Sequence, residues 1–153
     1  MKKELFKKEV LKKEKALIQS RIDDFEKQIA RLQNTGVQSE SEAVDLVYKS
    51  QNEANHEVSN KIAESLNTAL RNLTRLELIE VSGDFAEQVE PEAVVVTNQK
   101  TFFVSVHTGS FEIGGKEVMG ISTESPIYLK MLGMKKGAKF SFRDIDYTVK
   151  DIF

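Results

Sequence analysis

The stretch ISTESPIYLKMLGMKKGAKF (residues 121–140) contains the start and stop signals of one short helix. Ser125 precedes Pro126; a serine hydroxyl there can accept an orphan backbone N–H, and proline at the first helical position gives up a donor that has no partner. Gly133 favours a helix end two turns later. We therefore predict a helix from Pro126 to Leu132, followed by a basic turn.

Short apolar runs separated by turn residues surround this helix, and such runs are typical of strands. The predicted pairs are Ala93 to Val96 with Thr101 to Val106, Phe111 to Ile113 with Lys116 to Ile121, and Lys139 to Phe142 with Tyr147 to Ile152. Gly114-Gly115 is a strong two-residue hairpin signal, and Arg143 to Asp146 is predicted to form the last turn. We expect a twisted antiparallel sheet covered by one short helix. Its aromatic residues should fill one small core: Phe102, Phe103, Phe111, Phe140, Phe142, Tyr147 and Phe153.

The first half of the chain has helical rather than strand periodicity. Apolar residues recur every seven positions in a first segment (Leu11, Ile18, Phe25 and Leu32, with Ile22 and Ile29) and again in a second (Val44, Val47, Ala54, Val58, Ile62, Leu66, Ala69, Leu73 and Leu76), while Lys15 and Gln51 interrupt the seam. Gln33 to Glu40 separates the segments with turn residues. The prediction is an α+β protein: a coiled-coil hairpin at 1–77 with its tip at about 34–42, and a sheet domain at 78–153.

Composition agrees with two regions. Seven of the eight glycines and both prolines follow residue 80. There is no cysteine and no run of 18 apolar residues, so we expect a soluble, cytoplasmic protein with no membrane partner. The net charge of -2 gives no global argument for nucleic-acid binding. Seven lysines (Lys2, Lys3, Lys7, Lys8, Lys12, Lys13 and Lys15) crowd the start of the chain; they form either a solvated helix face or a phosphate-contacting patch.

Motifs for independent catalysis are absent from the sequence. It contains no phosphate loop, dinucleotide fingerprint, H-E-x-x-H or G-x-S-x-G motif. Its two histidines, His56 and His107, are predicted at the surface, and without cysteine they cannot complete a zinc site. The protein is not expected to be an enzyme on its own.

The order of these features resembles the Gre transcript-cleavage factors of bacterial RNA polymerase. The resemblance rests on Ile121-Ser122, Ser125-Pro126, Leu132-Gly133 and Gly137, with support from Lys61-Ile62, Leu66 and Leu78-Ile79-Glu80-Val81. It implies an antiparallel helical hairpin followed by an FKBP-like domain. An FKBP-like fold invites a prolyl isomerase hypothesis, but fold analogy does not transfer activity.

The resemblance also implies a partner and a chemistry. The hairpin of a Gre factor enters the secondary channel of RNA polymerase and presents two carboxylates beside the catalytic magnesium, so that water cleaves a backtracked nascent transcript. Here Glu42 and Asp45, spaced i, i+3, are the candidate catalytic residues and Mg²⁺ ligands, shared with the polymerase, although Ser41 and Val44 occupy the positions at which the family has its acids. Ser125, Pro126 and Gly133 are the candidate polymerase-binding residues.

Alternatives stay open at this point. The chain could occupy the polymerase channel as a modulator or inhibitor without cleavage, or it could be a coiled-coil adaptor unrelated to transcription. We expect a monomer, because the breaker lets both seams pair within one chain; the alternative is an intermolecular parallel coiled coil.

Overall fold

A computed structural model describes the backbone of residues 2–34 and 42–153, and the side chains of residues 2–33 and 56–153. Two long helices come first, α1 (Lys3–Asn34) and α2 (Glu42–Glu77). Six strands and a short helix follow: β1 (Val94–Thr97), β2 (Thr101–Ser105), β3 (Ser110–Ile113), β4 (Lys116–Ser122), α3 (Pro126–Met131), β5 (Lys139–Phe142) and β6 (Ile145–Ile152). The α+β class is confirmed. Most of the predicted tip at about 34–42 lies outside the described residues.

The chain divides into two compact units. One comprises Met1–Leu17 with Thr74–Phe153, and the other comprises Ile18–Leu73. The first therefore includes the N-terminal half of α1 together with the sheet, whereas the described residues of the second all belong to the two long helices. The predicted domain limits of 1–77 and 78–153 stay a prediction.

Within Ile18–Leu73 the apolar seam is thin. Ile18, Ile22 and Ala69 are buried, but Leu73 is half-buried and Val58 is 46% exposed. A shallow cavity of about 350 Å³ lies between side chains of both helices. Its lining is Arg21 and Phe25 of α1 with Glu64, Ser65, Thr68, Ala69 and Asn72 of α2. Pairing of the helices as a coiled-coil hairpin stays a prediction.

The six strands form one mixed sheet in the order β3-β4-β2-β1-β6-β5. Strands β2 and β4 are parallel, with Phe103 opposite Gly120, and every other described pair is antiparallel. The prediction of a wholly antiparallel sheet is therefore wrong. After β2 the chain crosses to the sheet edge to form β3, and the β3–β4 hairpin places its second strand beside β2, which makes that pair parallel.

Two tight turns close the hairpins. Gly114 and Gly115 both have positive φ, 57° and 79°, as a two-residue turn of this kind requires. Arg143 and Asp144 adopt the same left-handed backbone, with φ of 50° and 63°, and Phe142 already pairs with Ile145. The last turn is thus shorter than the predicted Arg143 to Asp146.

Apolar side chains cover both faces of the sheet. One face packs against α3 and holds the main cluster: Val89, Ala93, Val95, Phe102, Val104, Ile121, Tyr128, Met131, Phe140, Tyr147, Val149 and Ile152. Because side chains alternate along a strand, Phe103 points to the opposite face. There α1 contributes Phe6, whose ring meets that of Phe153 edge-on at 6.0 Å. The aromatic residues are mostly buried as predicted, but they divide between two faces rather than filling one core.

Candidate functional site

The short helix α3 carries the three residues predicted to bind polymerase. Pro126 occupies the first turn, and Ser125 precedes it with extended backbone. Ser125 does not cap the helix with its side chain, contrary to the prediction. Its hydroxyl donates instead, at 2.8 Å, to the carbonyl of Ser122, the last residue of β4. The helix still begins at Pro126, because its fixed φ suits that position.

The other end of α3 is held by the segment between α2 and β1, which contains Asp84, Glu87 and Glu90 and is called the acidic linker. Gly133 has a φ of 77°, so the predicted helix stop is confirmed; α3 ends at Met131, and Leu132 is its C-cap. The Gly133 N–H donates to the Val89 carbonyl at 2.9 Å, and the Val89 N–H donates to the Met134 carbonyl at 2.8 Å. Val89 is fully buried. The two hydrogen bonds of Val89 thus fix the position of the helix end. The acidic composition of the linker does not predict this contact.

We call the outward side of this helix the α3 surface: Pro126, Leu129, Lys130, Leu132 and Gly133. Its two leucines are 61% and 52% exposed, whereas Tyr128 and Met131 of the same helix are buried against the sheet. Burial raises the pKa of the Tyr128 hydroxyl, and the charge of Glu90 acts in the same direction. A six-residue helix thus anchors itself by two side chains and leaves two large apolar side chains in solvent.

Positive charge borders the α3 surface. Lys130, Lys135, Lys136 and Lys139 are all exposed. In the part of the chain that the structure describes, none of these four forms an ion pair. The arrangement suits a partner surface that offers apolar contacts and carboxylates. Ser125 and Pro126 lie at one end of this surface, and Gly133 lies at the other.

The acid pair cannot be placed in the same way. Glu42 and Asp45 belong to α2, but their side chains lie outside the described residues, and so do Ser41 and Val44. Over residues 2–33 and 56–153, no group of three or more histidine and carboxylate side chains could hold a metal ion. The expected Mg²⁺ depends on ligands that the polymerase would share, so its site stays a prediction.

The lysine-rich start of α1 is not a uniform solvated face. Lys7 is 9% exposed, and burial lowers the pKa of its ammonium, an effect that Glu92 and Glu90 oppose. Lys3 lies 3.1 Å from the Asp151 carboxylate, and Lys8 lies 2.8 Å from Glu4. The expectation of a solvated lysine face is wrong at Lys7, since this face of α1 packs within the sheet unit.

A buried carboxyl on α1 was missed by the sequence reading. Glu14 has no exposed surface; its Oε2 accepts a hydrogen bond from the Ser105 hydroxyl at 2.7 Å, and its Oε1 accepts one from the Thr108 hydroxyl at 3.4 Å. Burial raises the pKa of Glu14 to about 8, although both hydroxyls favour the ionised form. Lys15, which was expected to interrupt the seam, is half-buried beside it.

Glu14 is three residues after Leu11 and four before Ile18, so it shares a helix face with both, one residue before Lys15 of the predicted seam. That spacing was the available signal. It was obscured because Glu14 also belongs to a run of alternating glutamates and lysines, a pattern typical of an exposed helix face.

Comparison with known proteins identifies no relative of this chain. No family model, no curated protein and no solved structure matches this chain. Among the described helices, none combines the length and apolar character that crossing a bilayer demands.

Proposed function

We propose that the protein is a Gre-like elongation factor with an FKBP-like C-terminal domain, which binds bacterial RNA polymerase and stimulates transcript cleavage in paused or backtracked complexes. The α3 surface docks on the polymerase, and a hairpin of α1 and α2 enters the secondary channel. Glu42 and Asp45 then lend carboxylate ligands to a Mg²⁺ held jointly with the polymerase. The factor acts in the cytoplasm as a monomer and contacts the nascent RNA indirectly.

The observation that carries the docking proposal is the exposure of Leu129 and Leu132 on a helix bounded by Pro126 and Gly133. Large apolar side chains that adjoin one another in solvent often mark an interaction site. The neighbouring lysines add a long-range attraction for an acidic partner. The candidate polymerase-binding residues that the family resemblance implies thus border a surface with the properties of a docking site.

The observation that supports the channel-entry proposal is the length of the helices. α1 has 32 residues and α2 has 36, so each measures on the order of 50 Å at ~1.5 Å per residue. Carboxylates three residues apart on α2 share one helix face, as metal ligands must.

A second function is favoured by one feature of the sequence. Ser41 and Val44 stand where a Gre factor has its acids, and neither side chain is a strong Mg²⁺ ligand. A protein that docks in the channel without adequate ligands would block it, and thus act as a modulator or inhibitor.

A binding experiment tests the feature that both functions share. Fluorescently labelled protein is titrated with purified bacterial core RNA polymerase, and an unlabelled Gre factor is then added as competitor. We expect saturable binding that the competitor reverses. Binding that the competitor leaves unchanged would place the protein elsewhere on the polymerase. If the protein does not bind at all, the remaining hypothesis is a coiled-coil adaptor unrelated to transcription.

A further inference from the structure

Glu14 forms a buried polar contact between α1 and the sheet that the proposed function does not use. We define the Glu14 contact as Glu14, Ser105, Thr108 and Gly120. Ser105 ends β2, Gly120 lies in the neighbouring strand β4, and Thr108 lies in the loop between β2 and β3. The Thr108 hydroxyl both donates to Glu14 and accepts the Gly120 N–H at 2.9 Å. All four residues belong to the same compact unit.

Gly120 makes room for the carboxyl. A Cβ at this position would overlap Glu14 Oε1 and Thr108 Oγ1, and it would lie 2.6 Å from the Val106 carbonyl oxygen. The backbone of Gly120 is further fixed by its carbonyl, which accepts the Thr108 N–H at 3.1 Å. The sheet therefore has a recess of the size of one carboxyl group, and α1 fills it.

Among the residues whose side chains are described, none pairs its charge with Glu14. Charged residues on the elements that surround it include Lys7 and Lys15 on α1, His107 beside Thr108, Lys116 on β4, and Arg75, Glu92 and Glu124, which line a groove with Ser105. None of them forms an ion pair with Glu14 in the described part of the chain. Lys116 faces the Phe6 ring, at 5.6 Å from its centroid. Two neutral hydroxyls are thus the hydrogen-bond partners of a fully buried carboxyl.

We propose that Glu14 is a proton-sensitive contact: the neutral carboxyl holds residues 3–17 of α1 on the sheet, and loss of its proton promotes their release. A buried carboxylate without a cation is costly, because desolvation penalises its charged form. The released segment returns Glu14 to water, where the ionised form is favoured. Proton loss therefore shifts the equilibrium toward the released state.

The direction of the pKa supports this account. With a value of about 8 on the sheet and 4.5 in water, the released population should rise up to tenfold per pH unit between these two values and level off above the higher one. From pH 6 to pH 9 the increase should be roughly a hundredfold. The equilibrium thus responds within the range of pH in which most proteins work.

Amide hydrogen exchange of the full chain at pH 6 and pH 9 tests the proposal, with each rate divided by the intrinsic rate at that pH. We expect protection of residues 7–17 to fall roughly a hundredfold in the wild type and to stay nearly constant in Glu14→Gln, which resembles the neutral acid. Glu9→Gln, a half-buried acid of the same helix with no place in the contact, is the matched control and should behave as the wild type.

Three results would overturn the proposal. The first is constant protection in the wild type, and the second is an equal fall in Glu14→Gln. The third is identical protection of residues 7–17 and of β6 at both pH values, which would mean global unfolding rather than release of the helix. If Glu14→Gln does not fold, Ser105→Ala replaces it. Ser105 favours the ionised form, so its loss should raise the pH at which the fall in protection levels off and make the fall between pH 6 and pH 9 larger than in the wild type. An equal or smaller fall contradicts the proposal.

Discussion

Ser105 donates a 2.7 Å hydrogen bond to Glu14 although 91 positions of sequence separate the two residues. The bond joins the end of β2 to α1, so the N-terminal half of this helix is an integral part of the sheet unit. A carboxyl in this position makes the stability of the protein depend on pH.

Global stability should decrease as the pH rises from about 4.5 to about 8. The pKa of Glu14 is raised in the folded state, so its stabilising contribution is fully present below the unfolded value of 4.5 and is lost as the pH rises through the folded value of about 8. The loss attributable to this group amounts to at most ~5 kcal/mol. Urea unfolding at a series of pH values measures it.

Glu14→Gln should flatten that profile, because an amide cannot ionise. Glu9→Gln should leave it unchanged. A wild-type free energy of unfolding that rises between pH 5 and pH 8 would show that Glu14 is ionised in its recess.

Gly120→Ala should destabilise the protein by ~1–3 kcal/mol or more, because the added methyl group has no space beside Glu14 and the Val106 carbonyl. Gly109→Ala is the matched control, since a Cβ there meets nothing within 4 Å. Thermal or urea melts of the two variants give the comparison. Equal effects would mean that the recess around Glu14 can widen without cost.

Leu76→Ala should cost ~2–5 kcal/mol, because Leu76 is fully buried. Leu73, three positions earlier on α2, is half-buried, so Leu73→Ala should cost less. Val58→Ala should cost under ~1 kcal/mol, since Val58 is 46% exposed. Denaturant unfolding of the three variants ranks them, and a different order would contradict the burial described above.

The double variant Leu129→Ser, Leu132→Ser should weaken binding to RNA polymerase about tenfold or more, because anchor side chains in interfaces commonly contribute over ~1 kcal/mol each. Its stability should change little, since both leucines are largely exposed. Ile145→Ser is the matched control: Ile145 is 43% exposed but belongs to β6. If the double variant binds as tightly as the wild type, the α3 surface is not the docking site.

Local signals in the sequence predicted the elements well. Gly114-Gly115, Pro126 and Gly133 each mark a position where backbone geometry restricts the residue type, so turns and helix ends could be placed to within a residue or two. The predicted last turn is too long, because Arg143 and Asp144 adopt a left-handed backbone conformation that arginine rarely adopts.

Long-range features were harder to predict. The parallel pairing of β2 and β4 depends on which strand of a hairpin lies next to β2, and no residue in either strand encodes that choice locally. Glu14 and Lys7 have the sequence pattern of surface charges, and their burial depends on packing partners more than 80 positions away. The acid pair, Glu42 and Asp45, was chosen by its spacing and by resemblance, and its geometry stays a prediction.

Transcript cleavage tests the central claim most directly. A backtracked elongation complex with a labelled RNA is incubated with this protein and Mg²⁺, and the RNA is resolved by length. We predict shortening from the 3′ end, which Glu42→Ala and Asp45→Ala each abolish while polymerase binding persists, because a metal ligand stabilises the transition state more than the docked complex. Unshortened RNA at every Mg²⁺ concentration, despite binding that competes with a Gre factor, would contradict cleavage and establish the non-cleaving modulator instead.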